Sequence, residues 1–385
     1  MTFGGKASLL ASRFSALWRS QSDTFAPFGK TFSLQQMQRL KTSVRDLVVK
    51  SMDPGDREQT GEMLKQFSDS GDEFVHEARK FDPDLKPEEI FQTLRNVWII
   101  NSMQVALGLP VRLNRSGLAY SLLYPYTDNC LDAPAASERE KKGFNRDLAR
   151  RLAGFTVPAP SQHTAKVFHL VEMIESEYPR RSFPGVYESL LAIHRAQENT
   201  LQQRDSGQCC APSAILRISV EKGGSSVLAD AYVAKGWPTP QEADFAFGYG
   251  VFLQFIDDLQ DVGEDVRSGS RTLFTIAAGE GALDGMANRL VRFTKKVLAS
   301  SDLLSLPRAA ALSELVRRSC CSLILESIAL NSGMYSSAYV EAVEQHSAVR
   351  FDCIRRLHRE VGAKQTRLRR VFKGRRPAHL AAACA

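Results

Sequence analysis

Asp257, Asp258, Asp261 and Asp265 crowd the end of an apolar run, Gly250-Val251-Phe252-Leu253-Gln254-Phe255-Ile256. On a helix, Asp257, Asp261 and Asp265 stand at i, i+4 and i+8 and share one face, with Gln254 one turn earlier. Like charges one turn apart repel, and each carries a desolvation penalty if buried. Shared hard cations relieve both effects. An oxygen-only ligand set points to Mg²⁺, which keeps several waters and bridges carboxylates to substrate phosphates. For a single cluster of this kind, a solvated acidic helix end is the competing explanation.

A second cluster has the same grammar. In Tyr124-Pro125-Tyr126-Thr127-Asp128-Asn129-Cys130-Leu131-Asp132, two aspartates again fall at i, i+4 after apolar Leu118, Leu122 and Leu123. Facing each other across a helical bundle, the two clusters would hold metal ions and a diphosphate between them.

These two motifs resemble the aspartate-rich pair of class I isoprenoid synthases, the all-α enzymes that include trans-prenyltransferases, squalene and phytoene synthases, and terpene cyclases. Phe255-Ile256-Asp257-Asp258-Leu259-Gln260-Asp261, with Gln254 three residues before the first aspartate, is similar to the FQxxDDxxD of chain-elongating enzymes. Leu253-Gln254 and Asp261-Val262-Gly263-Glu264-Asp265 are similar to the LQxxNxxRDxxED of squalene and phytoene synthases. Arg271 falls where elongating enzymes place a diphosphate-binding lysine, and Lys222, in Val220-Glu221-Lys222-Gly223-Gly224-Ser225, resembles their upstream lysine on a broken helix. The resemblance spans roughly residues 100–275, and only the second motif is specific.

The resemblance implies one large helical bundle with the active site in its core, Mg²⁺ as cofactor and an allylic isoprenyl diphosphate as substrate. It implies metal ligands at Asp128, Asn129, Asp132, Asp257, Asp258, Asp261 and Asp265, with Asp128, Asp132, Asp257 and Asp261 catalytic. Metal ions there would stabilise the departing diphosphate. Lys222, Arg271, Gln254 and, more weakly, Arg217 would bind the substrate. Aromatic faces stabilise an allylic cation, and Tyr124, Tyr126, Phe252 and Phe255 lie near the motifs, although plain core packing is the commoner role. No general base stands out, because His163, His169 and His194 are attached to no motif. A homodimer is expected by resemblance alone.

The chain also departs from the pattern. Asn129 replaces a second aspartate. The arginine pair that follows the first motif in elongating enzymes is missing, and Lys141-Lys142-Gly143 arrives after a longer gap. No GGKRxR-like segment for isopentenyl diphosphate lies upstream, and Gly4-Gly5-Lys6 lacks the arginine. The missing second-substrate site argues against ordinary chain elongation and leaves a one-substrate terpene cyclase, the reading adopted, or a head-to-head condensing enzyme. The alternatives are a prenyl-joining enzyme, elongating or head-to-head, and a non-catalytic helical scaffold.

Composition supports the architecture independently. The 385 residues are 43% apolar and 24% charged, the balance of a globular protein with a sizeable core. No apolar run reaches the eighteen or so residues that span a membrane. Helical periodicity runs over Leu40–Met52, Phe168–Glu177, Tyr187–Gln203, Ala243–Val262, Leu283–Ser300, Arg308–Leu330 and Tyr339–Val361. Thr239 and Pro240 form a helix start, with Glu242 and Asp244 in the favoured first turn. The expected organisation is a leader over 1–30, an all-α domain over 31–362 and a basic tail over 363–385.

Seven cysteines without CxxC spacing read as reduced thiols in a cytoplasmic protein, with no zinc site. The net charge of +7 is concentrated in the tail: residues 350–385 carry nine arginines and two lysines against Asp352 and Glu360. A solvated tail is the favoured reading, with contact to an anionic membrane surface second. With Phe372 alone interleaved, nucleic-acid binding is not expected. Residues 1–22 contain no acid and resemble a transit peptide in composition, but a disordered leader or a cap over the active site is favoured.

Overall fold

The computed structural model describes residues 57–131, 137–200, 211–299, 303, 307–347, 349–356 and 358–359. The leader, the basic tail and residues 31–56 of the expected domain, with the Leu40–Met52 segment among them, lie outside the described residues. Within the described residues every regular element is helical: α1 Arg57–Phe81, α2 Pro87–Ala106, α3 Arg115–Leu131, α4 Glu138–Leu152, α5 Gln162–Glu177, α6 Pro184–Asn199, α7 Pro212–Lys235, α8 Pro240–Gln260, α9 Val262–Ser268, α10 Leu273–Gly279, α11 Leu283–Ala299, α12 Pro307–Leu330 and α13 Ser337–Glu344. The all-α expectation holds, and no described helix is long and apolar enough to cross a membrane.

The ends of these helices follow from local chemistry. At α8 the Thr239 hydroxyl accepts from the Glu242 amide while the Glu242 carboxylate accepts from the Thr239 amide, with Pro240 inside the first turn. Such a reciprocal cap satisfies two amides that the helix cannot. Ser137 and Glu140 do the same for α4. Gly236 closes α7 at φ 76°, where an added Cβ would strike Tyr178 and Phe183.

α7 is the central helix. It is buried on nearly every side, packing against α2, α3, α6, α8 and α10, as an element apolar all round must. Val227, Leu228 and Ala231 face one hydrophobic cluster with α8, α11 and α12; Ala229 and Val233 face a second with α3, α5 and α6. α8 crosses α7 backbone to backbone. A Cβ on Gly223 would lie 2.5 Å from the Gly250 carbonyl oxygen, and one on Gly250 would lie 2.0 Å from that of Gly223. Only glycine on both helices permits this approach.

Two expectations are corrected. α7 runs unbroken through Lys222, because its two glycines serve the crossing rather than a helix break. The periodicity over Tyr339–Val361 is interrupted after Glu344; the Glu344 carboxylate accepts from the Phe351 amide (2.8 Å) and so starts the following helical segment separately.

Candidate functional site

The glycine crossing places Lys222 of α7 beside the acidic end of α8. Lys222 lies within electrostatic reach of Asp258, Asp261 and Asp265. Asp258 points into this contact and is 8% exposed. Its two oxygens accept from the Gln254 amide (2.7 Å) and the Ser219 hydroxyl (3.1 Å). Burial pushes its carboxyl up to about 6, against the opposing pull of Lys222 and the two donors. Gln254 is thus occupied with Asp258, one turn away on its own helix.

α8 ends at Gln260, and Asp261 forms the joint to α9. The joint preserves the helical register: the Asp261 amide donates to Asp257 (3.0 Å) and the Asp265 amide to Asp261 (2.8 Å). Asp257, Asp261 and Asp265 therefore follow one another down a bent face. Asp261 and Asp265 are both raised above the ordinary carboxylate value. Lost hydration is the first cause, followed by repulsion from Asp257 and Glu264 at Asp261, and chiefly from Asp261 at Asp265. Asp261, Glu264, Asp265, Ser268 and Ser270 line an open cavity of about 460 Å³. All five lining residues carry acidic or hydroxyl side chains, a set that suits a hydrated cation. Asp257 faces a different partner: Arg95 of α2 donates to it at 3.0 Å in an exposed pair.

The donor set therefore fits Mg²⁺ in its chemistry, since only oxygens are offered and the carboxylates repel one another in the absence of a counter-charge. Among the described residues, no three His, Cys, Asp or Glu side chains converge closely enough to hold a metal ion. Asp128 and Asn129 lie in the last turn of α3, where their side chains are outside the description, as is that of Tyr124; Asp132 lies outside the described residues altogether.

The remaining candidates are dispersed. Arg271 is half-buried just before the Thr272 cap of α10. Arg217 is exposed on α7, within reach of Glu221. Phe255 is fully buried against Phe274 and Phe293, and Phe252 packs on Tyr249; both rings belong to the core rather than to a cavity wall. Tyr126 is buried too, donating to Asp82, which also accepts from Lys166 (2.6 Å). His194 contacts the Asn145 carbonyl, and His169 stacks on Phe81. Among the described cysteines, Cys320, Cys321 and Cys353 are free.

Sequence reasoning missed Arg95 and Ser219, and read Glu264 as part of the motif without giving it a role. Arg95 is the one cation of α2, a weak signal; Ser219 carried none, because its partner Asp258 is 39 residues away. No protein-family model matches the chain, and no curated protein matches it in sequence.

Proposed function

We propose that the protein is a Mg²⁺-dependent class I terpene synthase that ionises an allylic isoprenyl diphosphate. The observation that carries this reading is the placement of Lys222, fixed by the glycine crossing, against a run of carboxylates that repel one another. A metal–diphosphate site needs both elements: acids to hold the cations and a fixed positive group for the remaining phosphate charge. Asp257, Asp261 and Asp265 would hold Mg²⁺ from the α8 side, and Asp128, Asn129 and Asp132 from the α3 side. Bound there, Mg²⁺ would act as a Lewis acid on the leaving diphosphate. Asp258 would orient Lys222, and Arg271 would add positive charge.

A second reading, a helical scaffold without turnover, is favoured by two observations. Arg95 already neutralises Asp257, and no trio of described acids converges. Incubation with Mg²⁺ and geranyl, farnesyl or geranylgeranyl diphosphate, with and without isopentenyl diphosphate, separates the readings by mass spectrometry. A hydrocarbon or alcohol from one allylic substrate, lost in Asp261→Asn, supports the cyclase. A longer diphosphate or a coupled product would move the assignment to a prenyl-joining enzyme. No turnover and no Mg²⁺-dependent diphosphate binding would leave the scaffold.

A further inference from the structure

α4 has a face that neither the bundle nor the acidic site uses. Its inner side buries Phe144, Leu148 and Leu152. On its outer side Arg139, Lys142, Arg146 and Arg150 recur at intervals of three, four and four, and all four are exposed. At 100° per residue they fall within an arc of about 80°, along about 16 Å of helix. The acids of α4 only partly offset them: Asp147 lies 3.5 Å from Arg146, and Glu140 is turned back onto the Ser137 cap.

The chain then leaves α4 through Ala153-Gly154-Phe155-Thr156-Val157-Pro158-Ala159-Pro160, eight residues without a charge. Phe155 is 60% exposed, with the Arg150 guanidinium 6.0 Å from its ring centre. Val157 is half-buried and the other six are exposed. Phe155, Val157 and Ala159 border a cavity of about 430 Å³ that reaches Phe168 of α5. A large aromatic left in water beside a ladder of cations needs a partner that is anionic at one level and apolar just beneath it.

We propose that α4 and the loop after it dock on an anionic lipid bilayer, the four cations against the headgroups and Phe155 inserted below them. This surface is built from residues 139–160, none of which belongs to the basic tail, and does not depend on the reading of the acidic site. Nucleic acid is the other polyanion to weigh. It would be served by cations continuing along the loop, whereas this loop is uncharged and apolar.

The test is co-sedimentation of the full chain with vesicles of phosphatidylcholine alone and of phosphatidylcholine mixed with phosphatidylglycerol in equal parts. The parent should bind the mixed vesicles and not the neutral ones. Each of R139Q, K142Q, R146Q and R150Q should weaken binding about fivefold, and Phe155→Ser at least about tenfold. The tail is unchanged in every variant, so these differences report α4 and its loop alone. All five positions are exposed, and circular dichroism would verify that the variants remain folded. The proposal is overturned if the parent ignores the anionic vesicles, if the variants bind them as the parent does, or if the same substitutions abolish retention of a duplex oligonucleotide while vesicle binding is absent.

Discussion

Replacing Gly250 by alanine should invert the ordinary effect of that substitution. In a helix interior alanine is favoured over glycine by about 0.5–1 kcal/mol. Gly143, inside α4, has nothing within 4 Å of an added Cβ, so Gly143→Ala should stabilise the protein by about that amount. At Gly250 the same methyl would sit 2.0 Å from the Gly223 carbonyl oxygen and 2.8 Å from its carbon. The obstacle is backbone and cannot rotate away, so α7 and α8 must part by more than about 1 Å to reach an ordinary contact. Overpacking of this kind costs about 1–3 kcal/mol in a well-packed interior, and α7 and α8 form the most extensive pair among the described helices. Set against the alanine gain, the net expectation is a loss of about 1 kcal/mol for Gly250→Ala. Gly223→Ala should behave alike, and the double variant should cost less than the sum, because both methyls force the same separation. Urea denaturation followed by circular dichroism measures the four variants against the parent. A Gly250→Ala protein as stable as the parent, or more so, would refute the crossing.

Asp230 is fully buried, its Oδ1 accepting from Asn96 (3.1 Å) and its Oδ2 without a partner. Burial raises its carboxyl well above 3.8, so the fold binds a proton that the unfolded chain releases. This contribution is intact below about pH 4 and is lost as pH rises, at up to about 1.4 kcal/mol per unit. Asp230→Asn should therefore gain stability relative to the parent as pH is raised from 4; a pH-independent difference in melting would contradict this. At Asp82, burial alone would raise the carboxyl, but the hydrogen bonds from Lys166 and Tyr126 hold it below its ordinary value. Tyr126→Phe should cost about 1.5–3 kcal/mol and Lys166→Met about 3–5, and the reverse order in urea melts would sink the assignment. Glu175 accepts from Arg151 (2.7 and 2.6 Å) and Arg180 (2.6 Å), and Arg180 also caps α4 through the Leu152 and Arg151 carbonyls. Glu175→Gln should destabilise by about 3 kcal/mol, and a change under about 1 kcal/mol would show the pairs to be solvated.

What was legible in the sequence is what short-range chemistry decides. Thr239, Pro240 and Glu242 announce the start of α8 because each satisfies an amide within one turn. The apolar run into Asp257 announces its length. The helix break after Glu344 was not legible, since apolar periodicity continues across it and the deciding bond joins Glu344 to Phe351. Nor was the Arg95–Asp257 pair, whose partners are 162 residues apart. The roles of Phe252 and Phe255 turned on which face of α8 meets α10 and α11, and a motif cannot show that. The aspartates were legible as a group but not as individuals: one repeat contains a buried carboxyl held by neutral donors, a carboxylate paired with arginine, and two that face a polar cavity.

That division bears on whether the acidic repeat is only a solvated helix end. A solvated end would leave each carboxylate hydrated and indifferent to α7. Asp258 instead is turned inward, accepts from Ser219 across the crossing and lies in the field of Lys222. Its position is fixed by the glycine contact one to two turns below, because Gly223 is adjacent to Lys222 and would carry its Cβ 2.5 Å from that of Gln254. The feature that stabilises the central helix pair thus also sets the depth of the lysine. Lys222→Met tests the link. It leaves the crossing and the core unchanged, but removes a positive charge that favours ionised Asp258, so the carboxyl should be pushed further up and the folded state should lose stability at neutral pH. It should also lower any diphosphate affinity of the protein, while Arg217→Met, on an exposed turn of the same helix, should leave both properties as they are. Equal effects from the two substitutions, read by urea melts and by calorimetry with inorganic diphosphate and Mg²⁺, would mean that the position of Lys222 carries no special chemistry.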